Sequence, residues 1–192
     1  MIRSHTQKES LTPKKKAKLT LFELVLFSML GALMFGSKML MEFLPNVHLL
    51  GMFIVTFTAV FRFKALIPIY IYVLLNGVLA GFAPWWIPYL YVWTVLWGMA
   101  MLIPNNIPDK VAVFVYPLVC ALHGILFGVL YAPAQALMFN LSFEQTLAWI
   151  AAGFPFDVTH CISNFVAGLL ILPLKKVLCK LCASVSGKIC NR

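Results

Sequence analysis

The chain has 192 residues, of which 62% are hydrophobic and 11% charged, with a mean hydropathy of +0.92. A water-soluble domain of this size cannot hide that much apolar surface, so lipid is the expected solvent. The net charge of +9 comes with no nucleic-acid-binding motif; the basic residues sit at the chain ends and in short connections, where they report membrane orientation.

A helix needs about 20 apolar residues to cross the ~30 Å hydrocarbon core, and lipid leaves only helices or closed barrels as spanning structures. The apolar runs here are continuous rather than alternating, which favours helices. Residues 1–19 are polar and basic and are expected to form a flexible cytoplasmic arm. The next run is too long for a signal-peptide core and lacks a small-residue cleavage site, so it is expected to be an uncleaved first helix over residues 20–44. Pro45-Asn46 breaks the chain. A second helix over residues 48–63 ends at Arg62 and Lys64. A third runs from Ala65 to Phe82, with Pro68 tolerated in its first turn. The connection Ala83-Pro84-Trp85-Trp86-Ile87-Pro88 has the aromatic character of a membrane interface. A fourth helix is expected over residues 88–103, a fifth over 111–132, and a sixth over 146–173, kinked or started by Pro155. Residues 133–145 form a longer link between the last two. Residues 175–192 form a basic, mildly amphipathic tail suited to the inner leaflet. The reading is all-α: a six-transmembrane-helix bundle over residues 20–174.

Charge sets the orientation. With six spans, every basic residue except Lys38 falls on one side: the arm, Arg62, Lys64, Lys110, and the tail residues Lys175, Lys176, Lys180, Lys188 and Arg192. The positive-inside rule makes that side cytoplasmic and places both termini there. Lys38 lies one turn from Glu42 at the outer end of the first helix. The five cysteines, Cys120, Cys161, Cys179, Cys182 and Cys190, show no extracellular spacing pattern, and the lone CxxC at Cys179 and Cys182 is weak evidence for a metal. No cofactor or metal is expected. No segment matches the phosphate loop; Ser186-Gly187-Lys188-Ile189 lacks the first glycine and the hydroxyl after lysine. Uphill transport by this chain would therefore draw on an ion gradient or a partner.

Three constellations stand out. Asp157, His160 and Asn164 recur at i, i+3 and i+7 and share one helix face, where ionisable groups turn toward a bundle interior or a water-filled cavity. They point to binding or transport, or else to a pair that locks helix packing. His123 and Asn76 are single polar groups suited to interhelical hydrogen bonds. Trp85, Trp86, Tyr89, Tyr91, Trp93 and Trp97 make a dense aromatic cluster, joined by Tyr131 and Trp149. Tyr89, Trp93 and Trp97 fall on one helical stripe, as a ligand wall or an interfacial belt would require. Ser28, Ala32 and Gly36 form a small-residue strip along the first helix that admits close approach of another helix, inside the bundle or from another subunit. Gly124 and Gly128 repeat that pattern on the fifth helix, as an internal contact.

Six spans in under 200 residues, the basic N-terminus and the Ser28–Ala32–Gly36 strip together resemble a substrate-binding S component of the energy-coupling factor (ECF) vitamin transporters. Residues 31–35 (GALMF), 44–49 (LPNVHL) and 155–165 (PFDVTHCISNF) are similar to segments of such proteins. The resemblance implies that Ser28, Ala32 and Gly36 dock on a transmembrane coupling subunit, with Ser and Gly standing where the family has alanines. It implies two cytoplasmic ATPases as further partners and residence in a bacterial plasma membrane. It also implies an outward-facing pocket closed by the connection after the first helix and lined by Asn46, His48, Trp86, Tyr89, Trp93, Asp157, His160 and Asn164. Bound substrate would cross by toppling of the whole subunit. Few charges and many rings suit a largely neutral, ring-containing vitamin or nucleobase-like precursor. Cobalamin, riboflavin and queuosine-type compounds fit that description; pantothenate fits less well, because a carboxylate calls for more cationic groups.

Two other functions compete. In an autonomous secondary transporter, Asp157 and His160 would relay protons, and internal inverted repeats, of which none is convincing, would support it. In an intramembrane enzyme the same pair would serve as acid and base, but no GxSxG or HExxH nucleophile or metal motif accompanies them. The chain is therefore not read as an enzyme.

Overall fold

A computed structural model describes residues 19–186 and is all-helical over them. The basic arm up to Lys18 and the tail end beyond Ser186, with Cys190, lie outside the described residues.

The first helix, α1 (Leu21–Leu40), starts where sequence chemistry dictates. Thr20 Oγ1 accepts the backbone N–H of Glu23, and the Glu23 carboxylate accepts the N–H of Thr20, a reciprocal capping box. Twenty residues at 1.5 Å each give α1 a length of about 30 Å. A connection over residues 41–49 leads to α2 (Leu50–Phe61). There Thr56 and Thr58 donate their hydroxyls back to the carbonyls of Met52 and Ile54, both at 2.7 Å, which satisfies them without water. The chain then reverses through the short 3₁₀ turn Arg62–Ala65 into α3 (Leu66–Ala80). Arg62 takes φ +53° to make that reversal. Its guanidinium donates to the carbonyls of Met101 and Ile103, at 2.7 and 3.1 Å. Those carbonyls belong to the end of α4 (Tyr89–Met101).

The second half starts with α5 (Asp109–Ile125) and α6 (Phe127–Phe139), which follow one another across a single-residue break at Leu126. Asn140, in the left-handed conformation, stops α6. The capping box Ser142/Gln145 then starts the 26-residue α7 (Phe143–Gly168), and α8 (Ile171–Ser186) follows a two-residue turn. Three helical runs, Leu21–Leu40, Leu50–Ala80 and Asp109–Phe139, are long and apolar enough to cross a membrane, with mean hydropathies of 1.5, 1.8 and 2.2. The middle run is the one folded back at Arg62.

The first helix ends at Leu40, short of the expected residue 44, and the sixth, expected over residues 146–173, runs Phe143–Gly168. Two larger departures concern the fifth helix and the tail. The fifth helix was expected to continue to residue 132 and give way to a link over residues 133–145; instead the break falls at Leu126, and Pro133 lies inside α6, which runs to Phe139. A proline removes one N–H and crowds the preceding turn, but a helix tolerates it when tertiary contacts hold both sides. The tail from Lys175 opens as a packed helix: α8 lies against α2 and α5, with Ile171 and Cys182 buried.

Pairing along the helices gives the bundle two distinct ends. Glu23 meets Lys64, Gly31 faces Ile71, and Lys38 meets Asn76, so α1 and α3 run parallel. Glu23, Arg62, Lys64, Asp109, Lys175 and Lys176 gather at one end through mutual contacts. The α1–α2 connection and the start of α4 lie at the other, where Ser163 and His160 of α7 meet Asn46 and His48. The closest seam is α5 against α7. A Cβ on Gly124 would stand 2.8 Å from Cys161 Cα, and one on Gly168 would stand 2.6 Å from Pro117 Cα. Only glycine permits that approach. Phe27, Met34, Ile54, Val55, Ile69, Tyr72 and Leu96 fill the centre, while Leu102, Phe114, Leu137 and many other large apolar side chains point outward. In water such a surface would aggregate; in lipid it is solvated.

Candidate functional site

The end of the bundle opposite the basic residues holds a cavity of about 190 Å³. Its outer wall is the end of α1 and the connection after it, from Lys38 through Glu42 and Asn46 to His48; its floor is made by the rings of Tyr89, Phe127 and His160. Asn46 adopts φ +59°, a conformation that asparagine enters more readily than most residues. Its carbonyl accepts a hydrogen bond from Ser163 Oγ at 3.0 Å, which ties the connection to α7. That anchor turns His48 inward, edge-on to His160 with ring centroids 4.6 Å apart.

Behind the floor stands Trp93, 1% exposed. It meets Tyr89 at 5.4 Å, Phe127 at 5.8 Å, His48 and His123 at 5.9 Å each, and Tyr72 at 6.3 Å between ring centroids. His160 packs on Phe127 at 4.8 Å. Aromatic pairs with these separations and tilted planes are individually favourable, and together they make one continuous ring cluster drawn from five helices and a connection.

The polar atoms of this cluster are unsatisfied. Among the described residues, the buried side-chain nitrogens and oxygens without a hydrogen-bond partner in the protein are His48 Nδ1, Tyr72 Oη, Asn76 Nδ2, Trp93 Nε1, His123 Nδ1, His160 Nε2 and Asn164 Oδ1. All seven belong to the ring cluster or to the asparagine one turn further along the same helix (Tyr72 and Asn76 on α3, His160 and Asn164 on α7). An unpaired buried polar group costs about 1–3 kcal/mol, so each of these atoms is a candidate partner for a bound water or ligand.

Charge at the site is nearly balanced. Lys38 Nζ donates to Asn76 Oδ1 at 3.3 Å and lies 3.8 Å from Glu42. His48, in the connection, is desolvated, and its pKa is pushed down to about 4, so it is neutral near pH 7. His123 Nε2 sits 3.1 Å from the Val92 carbonyl. Only a protonated Nε2 can make that bond, so in the neutral ring Nδ1 is a bare acceptor.

The residues singled out in the sequence divide cleanly. Asn46, His48, Tyr89 and His160 line the cavity, and Trp93 lies directly behind it. Trp86 is engaged elsewhere: its indole N–H donates to the Val73 carbonyl at 2.7 Å and its ring packs on Phe82, capping the outer end of α3. Asp157, His160 and Asn164 share the buried face of α7, as their spacing requires, but only His160 reaches the cavity. Asp157 Oδ1 accepts the backbone N–H of Gly128 at 3.1 Å and so caps the first turn of α6 from a neighbouring helix. Asn164 donates to the Cys120 carbonyl and packs on Gly51. The aromatic stripe also splits, because Trp97 donates to the Arg62 carbonyl toward the basic end.

Sequence reasoning missed Lys38 and Phe127 as lining residues. Lys38 had a signal, as the one basic residue on the wrong side of the charge pattern. Phe127 had none, being one of sixteen phenylalanines. Comparison of the chain with family models, with curated proteins and with solved structures found no match.

Proposed function

We propose that the chain is the substrate-binding membrane subunit of an ECF-type importer, capturing a vitamin or related micronutrient from outside the cell. Six spans belong to this proposal, α1, α2, α3, α4, the α5–α6 run and α7, with α8 along the basic end; the alternation of these elements between the two ends supports it. Both termini are cytoplasmic on this reading, and the plasma membrane is the location.

The observation that carries the proposal is the ring-lined cavity at the end away from the basic residues, with the unpaired His48 Nδ1 and His160 Nε2 in its wall and further unpaired polar atoms in the ring cluster behind it. The α1 surface supports the partner. Ser28 and Ala32 are exposed, and a side chain added at Gly36 would meet nothing within 4 Å, whereas Gly31 on the inner face is filled by Ile71. The strip therefore faces away from the bundle, where a transmembrane coupling subunit driven by two cytoplasmic ATPases would dock. A proton relay through Asp157 and His160 has less support, since the Asp157 carboxylate is committed to the start of α6.

The test is uptake by proteoliposomes containing the chain alone or with a coupling subunit and its ATPases. Transport only in the complete assembly, abolished by Ala32→Leu with ligand binding intact, is the expected result. Uptake by the chain alone, collapsing when the proton gradient is dissipated, would replace the proposal with a secondary transporter.

A further inference from the structure

We infer that the cavity selects an uncharged, planar heteroaromatic ligand of one or two rings whose edge carries both hydrogen-bond donors and acceptors. This rests on the substrate-binding reading above and names the substrate class of the same site.

Size sets the first limit. A volume of 190 Å³ holds about six waters at ~30 Å³ each. At interior packing density an organic ligand takes roughly 15–20 Å³ per non-hydrogen atom, so about ten to thirteen such atoms fit. A nucleobase or a pyridine carboxamide matches that volume. A flavin exceeds it about twofold or more, and a corrinoid severalfold.

Shape and charge set the second. The lining offers the rings of Tyr89, Phe127, His160 and His48, the last two edge-on to each other; a wall of aromatic rings favours an aromatic guest. Among the described residues, the one cationic side chain lining the cavity, Lys38, already faces Glu42 and Asn76. A carboxylate ligand would have to compete with Glu42, and a cationic ligand would meet Lys38.

The unpaired atoms set the third. Two of them, His48 Nδ1 and His160 Nε2, stand in the cavity wall, with the donor Trp93 Nε1 immediately behind. In a neutral imidazole each such nitrogen donates or accepts according to its tautomer. A carboxylate only accepts, whereas a lactam or carboxamide edge on a heterocycle, presenting N–H beside C=O, answers either tautomer.

The experiment is a tryptophan-fluorescence titration and thermal-shift assay of the purified full chain in detergent. The probes are nicotinamide with its charged counterparts nicotinate and 1-methylnicotinamide, then hypoxanthine and guanine, then riboflavin and cyanocobalamin. The inference expects binding of at least one uncharged small heterocycle, with nicotinamide favoured ~10-fold or more over its charged forms if it is the binder, the factor expected from one hydrogen bond. Trp93→Phe keeps a ring and removes the N–H, and should weaken that binding ~10-fold without lowering the melting temperature of the empty protein. Trp97→Phe, which removes an indole N–H at the far end, should leave affinity unchanged. Binding confined to a charged probe, or to riboflavin or cyanocobalamin, overturns the substrate class and leaves the binding-subunit reading standing. No response to any probe, with no small-molecule adduct in native mass spectra, overturns both.

Discussion

The two ends of this bundle treat polar groups in opposite ways. At the basic end, Glu23 is buried against Lys64, Arg62 caps the carbonyls of α4, Trp97 donates to Arg62, Lys175 reaches the Tyr116 hydroxyl and Lys176 meets Asp109. At the cavity end, seven buried polar atoms have no partner. The basic end closes on itself through its own ion pairs and hydrogen bonds. On the substrate-binding proposal, the cavity end keeps hydrogen-bonding capacity that a ligand would use.

That contrast predicts opposite responses to polar deletion. The largest effect should come at the basic end. Lys64→Ala leaves the Glu23 carboxylate buried without its cation, and the loss should be about 2–3 kcal/mol, below the full value for a buried pair because Lys64 is 39% exposed. A melting temperature unchanged from the parent would show that this end is not the stable one. Next comes Gly124→Val on the α5–α7 seam, which should destabilise by about 2 kcal/mol through overpacking against the Cys161 backbone. Melting in matched detergent would read it, and the equivalent change at Gly98, where a Cβ meets nothing, should be far milder.

At the cavity end the sign should reverse. Tyr72→Phe removes an unpaired hydroxyl without changing shape, so the empty protein should be unchanged or up to ~1 kcal/mol more stable while affinity for ligand falls. If the empty protein is instead destabilised, the hydroxyl has a partner and the contrast between the ends is blunted. The smallest effect concerns pH. His48 titrates near 4 in the folded chain against a usual 6.5, so the unfolded chain takes up the proton first. This contribution to stability is complete above pH 6.5 and is lost as pH falls toward 4. A melting series across that window should fall, and His48→Gln should flatten part of the slope.

Much of the site was legible because helical spacing is a local property. Tyr89 and Trp93 four residues apart, and His160 among polar neighbours on an apolar helix, can be read without knowing what they face. What failed was the assumption that residues sharing a face share a task. Asp157 and His160 lie on the same side of α7, yet one caps α6 at Gly128 while the other, one turn further on, meets Phe127 and His48 and lines the cavity. Trp86 and Trp97 were drawn into the aromatic cluster by proximity in sequence, and each finds a carbonyl elsewhere.

By itself, the sequence determined that this chain is helical and apolar enough for a membrane, where its basic residues concentrate, and which few polar residues lie among apolar ones. Those follow from composition and from a 3.6-residue period, both of which act within a single helix. Only the tertiary structure decided which polar groups find partners. The break at Leu126, the reversal at Arg62 and the glycine-permitted approach of α5 to α7 set the heights at which helices meet. Hydrogen bonds depend on those heights to within a few tenths of an ångström. Residues paired across 29 positions, as Gly128 and Asp157 are, or across 38, as Lys38 and Asn76 are, are joined by packing that no local pattern encodes.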